Sequence, residues 1–76
     1  MDPNKLKALM LVNGDTRNTL AEYLHISPAS LSYKMNETHG RCFDKKEIED
    51  IARKYSLTSK EISDIFFEDL VSKKDT

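Results

Sequence analysis

A chain of 76 residues makes one domain with a small core, and 38% hydrophobic against 33% charged residues is too apolar and too evenly mixed for a disordered chain. The single Cys42 excludes an internal disulfide and any multi-cysteine metal framework. The longest apolar run, residues 8 to 12, is too short to span a bilayer and leads into Asn13-Gly14 without a cleavage-type sequence, so a cytoplasmic protein with no signal peptide is expected.

Five helices and no convincing strand follow in chain order. Asp2 can cap a first helix with Pro3 at its first position, where the missing N–H costs nothing. Leu6, Leu9 and Met10, with Leu11 or Val12, give that helix an apolar face, and Asn13-Gly14 ends it. Thr16 opens a second helix with Leu20, Ala21, Tyr23 and Leu24 at helical spacing. Ser27-Pro28 opens a third, on which Leu31 and Met35 share one side. A loop over 38 to 43 leads to Asp44, whose capping-box partner is Glu47, and the fourth helix carries Ile48, Ile51, Ala52 and Tyr55. Thr58 and Glu61 form a second box before Ile62, Ile65 and Phe66 on the fifth. Residues 1 to 70 are expected to form the domain and 71 to 76 a solvated tail.

The formal net charge of −1 hides an asymmetry. Arg17, Lys34, Arg41, Lys45 and Lys46 outweigh Glu22, Glu37 and Asp44 in the middle of the chain, with His25 and His39 in addition, while acids dominate from Glu47 onward. A protein charged in this way can present one positive face to phosphate. On a wheel advancing about 100° per residue, Ala29, Ser32, Tyr33 and Asn36 fall opposite Leu31. Most solvated helix faces are rich in Glu and Lys; this one offers small residues, hydroxyls and an amide. Such a surface can approach a DNA groove without setting a carboxylate against phosphate, and its groups can exchange hydrogen bonds with base edges. A neutral, idle surface helix has the same composition.

A short second helix, a turn of three or four residues and a third helix with its apolar pair near the start match the spacing of a helix-turn-helix. Leu20-Ala21, the turn at 25 to 27, Leu31-Ser32 and the Lys34-Met35-Asn36 ending, followed by residues 43 to 62, resemble the lambda-repressor-like family of small bacterial and phage regulators that includes the Cro proteins. The resemblance covers about residues 5 to 67 and implies a compact five-helix, all-α DNA-binding domain with the helix-turn-helix at helices two and three. Two positions depart from the family pattern. His25 stands where Gly commonly supplies a left-handed turn, and Glu37 stands where Gly often follows the Asn.

The resemblance implies an operator-binding repressor of Cro type, acting as a symmetric dimer on double-stranded DNA. Its length leaves no room for the self-cleaving second domain of longer phage repressors. Thr16, Arg17 and Asn18 would offer helix-start N–H groups, the helix dipole and a full charge to phosphate. Ala29, Ser32 and Tyr33 would face the major groove, and Lys34, Asn36, His39 and Arg41 would hold the backbone at the other end. Lys45 and Lys46 beside a helix start hint at an external anion. Phe67, Leu70 and Val71 have nothing obliged to cover them, which marks Phe67 and Leu70 as a weak dimer contact. The alternative is a protein-interaction module of the same fold that binds an antirepressor or a polymerase subunit. No metal, cofactor or small-molecule substrate is expected: His25, His39 and Cys42 lack ligand spacing on one helical face, and a helical chain with two glycines has no evident oxyanion pocket or phosphate-cradling loop.

Overall fold

Every α-helix start in the computed structural model, which describes residues 1–67, is closed by the side chain just before it. Asp2 accepts from the N–H groups of Asn4 and Lys5 and opens α1 (Pro3–Val12). Thr16 and Thr19 exchange backbone and hydroxyl bonds at 3.2 and 2.8 Å to open α2 (Arg17–Leu24). Ser27 caps α3 (Pro28–Met35), Asp44 and Glu47 box the start of α4 (Lys45–Tyr55), and Thr58 and Glu61 box that of α5 (Ser59–Phe66). A short 3-10 turn, Thr38–Gly40, lies between α3 and α4, and no strand occurs among the described residues. Leu70, Val71 and the tail expected over 71 to 76 lie outside them.

Three helix-ending turns use the left-handed region without glycine. His25 (φ 60°) ends α2, Glu37 (φ 53°) follows α3, and Ser56 (φ 54°) ends α4. The His25 backbone is therefore the one that the turn demanded, adopted by a residue with a side chain.

One core joins all five helices. Leu6, Leu20, Leu31 and Ile51 are fully enclosed, one from each of α1 to α4, and Ile65 and Phe66 close it from α5. Phe43, ahead of α4, meets Phe66 edge-to-face at 5.9 Å. The Asp2 N–H donates to the Ile65 carbonyl at 2.7 Å and ties the start of α1 to α5.

The apolar face of α1 is narrower than its sequence allows. Leu6 and Met10 are buried and Leu9 packs on the core, whereas Leu11 and Val12 are 80% and 84% exposed. With Leu6 and Met10 set inward, steps of about 100° carry the next two residues away from the core. No helix among the described residues is long and apolar enough to cross a membrane.

Candidate nucleic-acid interface

The turn at 25 to 27 places α2 and α3 against each other, with Leu20, Ala21 and Leu24 of one and Leu31 and Met35 of the other buried. Burying Leu31 and Met35 fixes what remains outside: Ala29, Tyr33 and Asn36 are exposed and Ser32 is half-buried. The neutral face read from the sequence is thus the outer face of α3.

Ser32 is held by the neighbouring helix. Arg17, the first residue of α2, donates from Nη1 to Ser32 Oγ at 3.0 Å. Asn36 donates from Nδ2 to the Ser32 carbonyl, also at 3.0 Å, as the cap of α3. The box at Thr16 occupies the N–H of Thr19 and leaves those of Arg17 and Asn18, which no carbonyl of the helix can reach. Thr16, Arg17, Ser32 and Asn36 border an open cleft of about 520 Å³ that Lys7, Asp15, Met10 and Met35 also line. Lys7 carried no signal in the sequence; it enters because α1 runs past the start of α2.

At the far end of α3 the left-handed backbones of Glu37 and His39 (φ 53° and 58°) fold the chain back over Tyr33. The Arg41 guanidinium sits 5.2 Å from the Tyr33 ring centroid, and the His39 ring meets it edge-on at 6.1 Å. Three residues assigned separately from the sequence therefore form one cluster. A cation–π contact at an exposed site contributes about 0.5 to 1 kcal/mol, enough to bias Arg41 toward this position without locking it.

Lys34, expected on the DNA backbone, has its ammonium 2.6 Å from Glu47 Oε2. Glu47 is the buried acid of the domain, and its other oxygen accepts from the Asp44 N–H. Lys34 thus bonds α3 to α4 through a mostly buried pair. The Glu37 carboxylate stands 3.0 Å from the Met1 amine.

Charge divides by region. Lys46, Arg53, Lys54 and Lys60 pair with Asp50, Asp15 and Asp64, and Lys34 pairs with Glu47. Among the described residues Lys5, Lys7, Arg17, Arg41 and Lys45 have no such partner. Arg17 meets α3 at Ser32 and Arg41 meets it at Tyr33, the next residue along the helix.

Phe67 is 42% exposed and lines an apolar groove of about 550 Å³ with Phe43, Ile48, Ala52 and Ile62, between Lys45 and Glu49. Leu70, assigned with it to a dimer contact, is outside the described residues. His25 and Cys42 are both exposed, and no three His, Cys, Asp or Glu side chains converge on a metal position among the described residues. Comparison with protein-family models, with curated proteins and with solved structures yields no match to this chain.

Proposed function

We propose that the chain is a sequence-specific, operator-binding transcriptional repressor of Cro type, with α2 and α3 as a lambda-repressor-like helix-turn-helix and α3 in the major groove. The observation that carries this reading is the neutral, hydrogen-bonding outer face of α3 beside two cations, Arg17 and Arg41, that no carboxylate among the described residues neutralises. Ala29, Ser32 and Tyr33 would read base edges, while Thr16, Arg17, Asn18, Asn36, His39 and Arg41 would hold phosphates. Lys34 would reach phosphate only by leaving Glu47, so its main part in the proposal is to hold α3 in place. A single module of this size secures little affinity. A second copy, meeting the first at Phe67 and Leu70, would set two α3 helices in successive major grooves about one DNA turn apart. Block of polymerase access by occupancy then needs no catalytic group.

The test is a gel shift on random-sequence duplex pools with sequencing of what is retained. Two symmetric half-sites spaced by about 10 base pairs are expected. A retained pool identical to the input would sink the reading.

A second reading has one observation in its favour. Leu11 and Val12 form an open apolar pair at the end of α1, and Leu11 borders the same cleft as Arg17 and Ser32. An antirepressor or polymerase subunit could seat there and use the α3 face as its rim. Leu11→Ser with Val12→Ser should leave duplex binding intact under the first reading and abolish partner capture under the second.

A further inference from the structure

The bond between Arg17 and Ser32 joins the helix expected to cross the DNA backbone to the helix expected to read bases. A guanidinium has five N–H donors, no acceptor, and stays protonated. In the 3.0 Å contact from Arg17 Nη1, the Ser32 oxygen must therefore be the acceptor. Its own proton is then directed elsewhere, and among the described residues no group takes it. A serine hydroxyl by itself discriminates poorly, because it can give or receive a hydrogen bond and suits either kind of base edge. With a full positive charge against it, the Ser32 oxygen is a poor target for a second donor, and its proton is the better-presented group.

We propose that Ser32 acts as a hydrogen-bond donor to a base-edge acceptor in the major groove, and that Arg17 imposes this polarity from α2. The acceptors available there are purine N7, guanine O6 and thymine O4; the amino group of cytosine offers only a donor. The position under Ser32 accordingly admits purines or thymine and rejects cytosine. Arg17 becomes a specificity-determining residue as well as a phosphate contact. An ordinary phosphate contact changes affinity alike for every sequence; removal of Arg17 changes what one position prefers. This inference rests on the repressor reading.

The experiment compares the pools retained by the parent protein, Ser32→Ala, Arg17→Met and Arg17→Gln, each first checked for parental helical circular dichroism. The parent should reject cytosine at one position per half-site by roughly 5- to 150-fold, the range for one specific contact. Ser32→Ala and Arg17→Met should both lose that rejection at the same position and keep the preferences elsewhere. Arg17→Met should also flatten the salt dependence by about one ion. Where adenine occupies the position, whose only major-groove acceptor is N7, a 7-deazaadenine operator should weaken the parent over the same range and leave Ser32→Ala unaffected. The inference is overturned if Arg17→Met weakens all sequences alike while Ser32→Ala alters one position, since Arg17 then acts on phosphate only. It is equally overturned if Ser32→Ala alters none. If Arg17→Met fails to fold, Arg17→Gln, which is neutral and can accept as well as donate, decides: admission of cytosine supports the inference and continued rejection overturns it. A parent protein that retains no duplex sinks the repressor reading, and the inference with it.

Discussion

Asp15 precedes the Thr16 cap of α2, yet its charge is spent inside the domain. Oδ2 accepts the Tyr55 hydroxyl at 2.7 Å and lies 3.4 Å from Lys54 Nζ, while Oδ1 accepts the Thr19 hydroxyl at 2.9 Å. The Tyr55 bond is the main cause holding the Asp15 carboxyl below its usual 3.8; burial opposes it, and Thr19 and Lys54 reinforce it. The stabilisation this carboxylate supplies is therefore complete above the ordinary carboxyl range and is lost as pH falls through the lowered folded value. For Tyr55 the sign reverses. Burial, then the bond to Asp15, raises its phenol above the usual 10.0, so that contribution is complete below pH 10.0 and is lost as pH climbs through the raised folded value. Tyr55→Phe should cost roughly 1.5 to 3 kcal/mol near neutrality, as for hydrogen bonds to charged groups. Urea midpoints taken from pH 7 down to 3 should show the gap to the parent closing in acid. Lys34→Ala leaves Glu47 without its cation and should cost about 2 kcal/mol, less than a fully buried pair because Lys34 keeps some water. Its salt slope on DNA should stay parental, whereas Arg41→Ala flattens the slope by about one ion.

Helix starts were legible in the sequence because each cap lies within three residues of the N–H it serves: Asp2, Thr16, Ser27, Asp44 and Thr58 all stand where they were read. The left-handed turn at His25 was legible from the resemblance, in which Gly commonly stands at that place; the same backbone at Ser56 was not, since a lone serine signals nothing there. Arg17 with Ser32 and Asp15 with Tyr55 escape any periodicity, being 15 and 40 residues apart and brought together only by how helices cross. Leu11 and Val12 misled because α1 has more apolar residues than its buried stripe can use. The outer face of α3 needed only Leu31 and Met35 to be placed, so it came through intact. Left-handed backbone costs a residue with a β-carbon about 1 to 2 kcal/mol, partly offset by the greater entropy glycine loses on folding. His25→Gly should therefore raise stability by about 0.5 to 1 kcal/mol with unchanged operator preference, by thermal melts and competition gel shifts.

At the level of the whole molecule, the cations of α4 and α5 other than Lys45 are paired with acids, while Arg17 and Arg41 beside α3 have no carboxylate partner among the described residues. A formal charge of −1 is thus compatible with attraction to phosphate on one side. Binding to any duplex should fall steeply with added salt even though the protein carries no basic excess. The groove beside Phe67 is where the proposed pairing of two copies is tested. Phe67→Glu with Leu70→Glu should leave helical circular dichroism unchanged and weaken binding to a full operator far more than to a half-site. Cooperative binding by that variant would move the contact surface elsewhere, and unfolding would assign Phe67 to the core. The contact need not be strong in solution, because DNA raises the effective concentration of two subunits held side by side.

The chain has no tryptophan and three tyrosines, and each tyrosine ring has a charged group beside it, Lys54 lying near both Tyr23 and Tyr55. Tyr55 donates its phenolic proton to a carboxylate, Tyr23 lies under Lys54, and Tyr33 lies under Arg41 on the outer face of α3. A phenol that can pass its proton to a carboxylate after absorbing light emits weakly. Unfolding, which separates Tyr55 from Asp15, should brighten the protein. A base settling against Tyr33 should dim it while the Tyr55 contribution stays where it was. The same ultraviolet emission, followed in urea and again in an operator titration, would thus report two separate events from two places in one small domain, with no attached dye.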